Sequence, residues 1–143
     1  MYEEGDFGLG ESSAILRYLL NTKATSDTYW PKDHKAQAQV DMVVAFATSA
    51  LNKAHAALYY ACQIGPAWRG SQIPVGEEKE KLDKDFNDQI LNVAKFLHHF
   101  KGDYITGAHY TVADSVTFTF IHNAVENGHF SLDHHHDVKA WYD

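Results

Sequence analysis

The chain of 143 residues contains a single cysteine, Cys62. No intramolecular disulfide can form, and such cysteine usage fits a reducing compartment. Basic clusters are lacking too. No Lys/Arg group exceeds the pairs around Lys79 and Lys81, where Glu77, Glu78 and Glu80 interleave, and the net charge is -7. Phosphate backbones and anionic membrane surfaces require a basic face, so no nucleic acid and no membrane is expected as a partner. No apolar run is long enough to span a bilayer. Met1-Tyr2-Glu3-Glu4 is acidic where a signal peptide would be basic and then apolar, which makes a cytoplasmic location the expectation. Internal repeats and low-complexity segments are absent. What is present is ordinary globular material: 45% hydrophobic residues, enough apolar mass for one core.

The apolar spacing predicts a mostly α chain with one strand at its front. Phe7 and Leu9 alternate with glycine and read as a short strand or strand remnant. Glu11 to about Leu20 reads as a helix with Ala14, Ile15, Tyr18 and Leu19 on one face. A polar loop to Tyr29 closes with Trp30-Pro31. The strongest helical pattern follows, with Asp33 as N-cap and Val40, Val43, Val44, Ala47, Leu51, Ala54 and Leu58 in phase. Gly65-Pro66 is expected to end it, and Gly65 to Gly76 to form a connection. Leu82, Phe86, Ile90, Val93, Leu97 and Phe100 mark a second long helix, broken at Lys101-Gly102-Asp103. Tyr104 to Gly107 reads as a compact turn. A third helix starts at Thr111 and stops at Asn127-Gly128, and Asp133 to Trp141 begins a fourth.

Four features carry candidate chemistry. Glu11 and Ser12 open a helix behind a turn-prone run. The first turn of a helix has unpaired N–H groups and a positive dipole end, which favour carboxylates. Ser12 would donate to a ligand carboxylate while Glu11 accepts from a ligand ammonium, a receptor for an α-amino acid head group. Thr111-Val112-Ala113-Asp114 has capping-box spacing, a structural signal worth roughly 0.5–2 kcal/mol. Its usual apolar staple would pair Tyr110 with Ser115, which is small and polar, so a weak staple is expected. Tyr59, Tyr60 and Trp68 are candidates to line an apolar substrate pocket, or are plain core. Asp41, beside Val40 and Val43, lies either on a solvated face or in a subunit interface.

Two other features invite chemistry that their setting disfavours. Ten histidines include the adjacent sets His98-His99 and His134-His135-His136, but neighbouring helical positions point apart and offer no paired ligands, so no metal is expected. Cys62 has neither a helix N-terminus nor a cationic neighbour to activate it, and reads as a buried thiol.

Glu11-Ser12-Ser13-Ala14-Ile15-Leu16-Arg17-Tyr18-Leu19 resembles the glutathione-binding helix start of cytosolic glutathione S-transferases. Tyr29-Trp30-Pro31-Lys32-Asp33 and Ala38-Gln39-Val40-Asp41 resemble the lead into that family's fourth helix. Phe100 to Gly107 with Thr111 to Asp114 is similar to its helix 5–6 turn and N-capping box, and Val138-Lys139-Ala140-Trp141 to its seventh helix. The order is the family's, and the flavour is theta-like.

The resemblance implies residues 1–22 as the last strand and helix of a thioredoxin-like α/β half, 23–32 as a linker, and 33–143 as an incomplete all-α domain. It implies that Glu11 and Ser12 hold the γ-glutamyl end of glutathione, the substrate, and that Asp41 reaches the partner's γ-glutamyl group across a homodimer. The residue that activates the glutathione thiolate has no counterpart here, and the pattern reads as truncated at both ends. The expected function is therefore glutathione conjugation to electrophiles in the complete protein, with little catalysis by this chain. The alternative is a non-enzymatic module, as in translation elongation factor 1 gamma. Phe7, Ile15, Tyr18 and Leu19 are expected to form an exposed, mobile apolar patch.

Overall fold

Two short strands and seven α-helices make up the computed structural model, which describes residues 1–143. The front end is a hairpin. Strand β1 (Tyr2–Glu4) pairs antiparallel with β2 (Phe7–Leu9), Tyr2 opposite Leu9 and Glu4 opposite Phe7. Gly5 takes φ 60°, the positive value that a two-residue hairpin loop needs at its first turn position. The spacing signals only the second of these strands, because the first is short and acidic. Helix α1 (Ser12–Thr22) follows directly. The expected apolar patch is partly closed by the hairpin itself, with the Tyr2 and Phe7 rings 5.7 and 5.1 Å from the Tyr18 ring. Phe7 stays 45% exposed.

Residues 34–69 form one nearly continuous helical run: α2 (His34–Phe46), a π-helical segment (Ala47–Leu51), α3 (Asn52–Tyr59), a second π segment (Tyr60–Ile64) and α4 (Gly65–Arg69). Asp33 caps the start by accepting from the Ala36 N–H at 2.9 Å. The Thr48 and Ser49 hydroxyls donate back to the Val44 and Ala45 carbonyls, a polar competition with the helical ladder inside the first π segment.

Gly65-Pro66 does not end this run. Pro66 falls in the first turn of α4, where its missing N–H costs nothing and its fixed φ suits the helix. At Gly65 a Cβ would meet Ser71 Oγ at 2.7 Å and the Tyr60 carbonyl oxygen at 3.0 Å, so glycine serves close packing there. The helix stops instead at Gly70, in the left-handed region at φ 65°.

Helix α5 (Glu77–Phe100) buries Phe86, Ile90, Val93 and Leu97, the stripe that the spacing predicts. Three glutamates in its first turn favour the positive dipole end. Helices α6 (Val112–Glu126) and α7 (His136–Tyr142) complete the body. α2 lies against α6, and α3 against both α5 and α6, with Val43, Leu51, Leu58, Phe86, Ile90 and Ile121 fully buried between them.

The α5–α6 connection is organised by one buried carboxylate. Lys101 turns left-handed at φ 52°. Gly102 then passes so close to Gly107 that a Cβ would sit 2.1 Å from its carbonyl oxygen. Tyr104 and Gly107 exchange two backbone hydrogen bonds of 3.0 Å, which turns Ile105 fully into the core. The capping box forms at α6, and Asp114 is 1% exposed. Its Oδ2 accepts from the Thr111 N–H at 2.8 Å and the Thr111 hydroxyl at 3.1 Å. Its Oδ1 accepts from the Ile105 N–H at 2.8 Å and from Trp141 Nε1 at 2.9 Å. In place of an apolar staple, the Tyr110 hydroxyl bonds Ser115 Oγ at 2.7 Å.

The segment expected as a linker is fastened to this same corner. The Tyr29 carbonyl accepts from the Val112 N–H at 3.1 Å, and buried Trp30 donates from Nε1 to Asn21 Oδ1 at 2.8 Å. Asp114→Ala strips acceptors from donors that three segments supply. It is expected to lower stability by about 3 kcal/mol in urea unfolding followed by far-UV circular dichroism. A loss under about 1 kcal/mol would contradict this role.

Candidate functional site

The candidate site starts from a backbone anomaly. Glu11, at the N-cap of α1, has φ 61° and ψ 119°, outside both the extended and left-handed helical regions that side chains tolerate. Such strain costs of order 1–3 kcal/mol and clusters at ligand clamps. The Glu11 carbonyl still accepts the first helical bond, from the Ile15 N–H at 3.0 Å. No side chain caps the helix, and Glu11 and Ser12 are both exposed. The expected pair therefore stands together at an open, uncapped helix start. The first-turn N–H groups and the Ser12 hydroxyl can donate to a carboxylate, while the Glu11 carboxylate can take an ammonium.

Two side-chain clusters hold this helix. On the body side, Arg17 Nε and Nη2 both donate to Asp41 Oδ1 of α2, at 2.9 and 2.8 Å. On the hairpin side, Glu4 collects three donors: Tyr2 Oη at 3.0 Å, Tyr18 Oη at 2.8 Å and Lys23 Nζ at 2.7 Å. The Lys23 bond first, then the Tyr18 and Tyr2 hydroxyls, hold the Glu4 carboxyl down to about 2. Lys23 and Tyr18 are pushed up in turn, chiefly by their bonds to Glu4.

The remaining sequence candidates lie apart. Tyr59 is half-buried with its ring stacked on His55 at 5.6 Å, and Tyr60 is 62% exposed. They sit roughly 27 Å further along the helical run than Asp41, at about 1.5 Å per residue. None of the larger clefts is lined by either. Thr111 and Asp114 do structural work, as described. Trp68 is 82% exposed rather than lining a pocket. Cys62 is buried, and burial pushes its thiol up.

The histidines are dispersed. His135 turns inward to Asn87 Oδ1 at 2.8 Å, its neighbours His134 and His136 stay exposed, and His98 pairs with Asp137 at 2.9 Å. That last pair borders a cleft of about 490 Å³ between the end of α5 and α7. Sequence reasoning gave no role to Arg17, Glu4 or His55, whose ring nitrogen meets Asn123 Oδ1 at 2.8 Å. Their partners are distant in the chain, and no spacing rule signals them.

No protein-family model matches the chain. It is 32% identical to glutathione S-transferase theta-1 of Mus musculus over 140 residues, 97% of this chain and 57% of that protein. Human glutathione-S-transferase T1-1 in its apo form superposes with a TM-score of 0.86 at 25% identity, over 98% of this chain and 58% of that one. Human glutathione transferase theta-2, solved in complex with glutathione and an unknown ligand, gives a TM-score of 0.83 at 27% identity, over 97% and 56%. The chain thus spans a little over half the length of these relatives.

The Glu4 cluster generates a pH prediction. A carboxyl held below its ordinary value contributes stability above about pH 4.5 and loses it as the pH falls toward about 2. The hairpin is therefore expected to detach from α1 across that window, seen as loss of amide-exchange protection at residues 2–9 while α5 stays protected. Glu4→Gln should show the loosened hairpin already at pH 7. Unchanged protection at pH 3 would contradict the assignment.

Proposed function

Because the chain belongs to the glutathione S-transferase family, we propose that Glu11 and Ser12 grip the γ-glutamyl head group of glutathione. We further propose that the whole protein conjugates glutathione to electrophiles. The observation that carries the reading is the strained, uncapped and exposed helix start at Glu11. In this reading the Ser12 hydroxyl and the first-turn N–H groups donate to the α-carboxylate, and Glu11 accepts from the α-ammonium. Each group is held ready by backbone geometry set before the ligand arrives, which cuts the ordering cost of binding.

Conjugation needs a donor that stabilises the sulfur as thiolate at neutral pH. No residue of this chain is assigned that task, so we propose that these 143 residues bind the head group without turning over substrate. We propose a second copy as protein partner. α2 and the π segment after it present Ala38, Met42, Ala45 and Ser49 to solvent at helical spacing, a mostly apolar face. A cytoplasmic location follows the same family reading.

The test combines calorimetry and kinetics on the purified chain. S-methylglutathione is expected to bind, and Ser12→Ala to weaken it by about tenfold, the worth of one hydrogen bond to a charged group. Incubation with glutathione and an aromatic halide should give no turnover above the uncatalysed rate. Absence of binding, or turnover near that of a full-length relative, would overturn the reading.

A further inference from the structure

Helix α1 is held sparingly. Leu20 is its one buried residue, with Leu16 packed at the margin of the core. The sole side-chain hydrogen-bonding link between α1 and the helices behind it is Arg17 to Asp41, which joins positions 24 residues apart in the chain. Arg17 Nε and Nη2 converge on one oxygen, Oδ1, and the pair is partly exposed, at 48% and 35% of its side-chain surface. Arg17 lies roughly 9 Å along the helix axis from Glu11. A helix of three turns is stiff over that distance, so its rotation and tilt at Arg17 are passed on to the Glu11–Ser12 end.

We propose that Asp41 is a positioning residue for the glutathione site, acting through Arg17 of its own chain. This rests on the glutathione reading above and deepens it. The family resemblance gives Asp41 a different task, a direct contact with ligand held by a second copy. In this chain its Oδ1 is already engaged within the same chain, and the engagement falls on the helix that carries the candidate site. The two tasks make opposite demands on Arg17. If Asp41 anchors α1, Arg17 matters as much as Asp41 does. If Asp41 touches ligand directly, removing Arg17 costs nothing or frees the carboxylate.

The experiment measures S-methylglutathione affinity and the backbone amide shifts of residues 11–14 in the full chain. It compares wild type, Arg17→Met, Asp41→Asn, the double variant, and the charge swap Arg17→Asp/Asp41→Arg. Each single variant is expected to bind roughly three- to fivefold more weakly, the range that a partly exposed charge pair supports. The double variant should bind no more weakly than either single one, and the swap should recover part of the loss. Amides 11–14 should move in both single variants with no ligand present, while those of α5 stay fixed.

Weakened binding in Asp41→Asn with wild-type binding in Arg17→Met would overturn the proposal and leave the glutathione reading intact. Equal affinity in all variants would do the same, whatever their thermal stabilities. Failure of wild type itself to bind would overturn the glutathione reading and this inference with it.

Discussion

A carboxylate with no cation beside it, Asp114, holds the molecule's corner together. Its two oxygens accept from the Ile105 and Thr111 backbones, the Thr111 hydroxyl and the Trp141 indole. A buried charge survives only when its lone pairs are filled, and here three segments each fill some of them. The turn after α5, the start of α6 and helix α7 are therefore tied to one another through this side chain. The same α6 start receives the Tyr29 carbonyl, and Trp30, buried next to it, holds Asn21 at the end of α1. The position of the candidate site thus traces back through the linker to Asp114.

Stability grades away from that corner. The body is tied by fully buried apolar side chains such as Leu51, Phe86 and Ile121. The front end is tied by partly exposed ion pairs, Arg17–Asp41 and Lys23–Glu4. Exposed pairs contribute about 0.2–1 kcal/mol each and are screened by salt. The strain at Glu11 sits on this lightly held end, supported by the hairpin on one side and α2 on the other. A ligand that paired with the open helix start would add contacts where the protein has fewest of its own. Binding there would stabilise this lightly held end by mass action.

Much of this was legible in the residues. The α5 stripe Phe86, Ile90, Val93 and Leu97 survives intact because one apolar face at helical spacing has one way to be buried. The capping box at Thr111 and Asp114, and the break at Gly102, are local patterns with local causes. The helix start at Glu11 and Ser12 was legible as a local pattern, but the φ of 61° at Glu11 was not, since no residue pattern encodes a strained glutamate. Pro66 misled because a proline in a first turn looks, in sequence, like a helix terminator. The Arg17–Asp41 and Trp141–Asp114 bonds, 24 and 27 residues apart, belong to tertiary packing and leave no mark on spacing.

The central claim is that the strained start of α1 receives the γ-glutamyl head group. Amide shifts followed by NMR as glutathione is titrated into the ¹⁵N-labelled chain test it most directly. The account predicts saturable shifts largest at Ser12, Ser13 and Ala14, the first-turn N–H groups. Saturable shifts centred elsewhere, as at His98 and Asp137 beside the 490 Å³ cleft, with residues 11–14 unmoved, would contradict it.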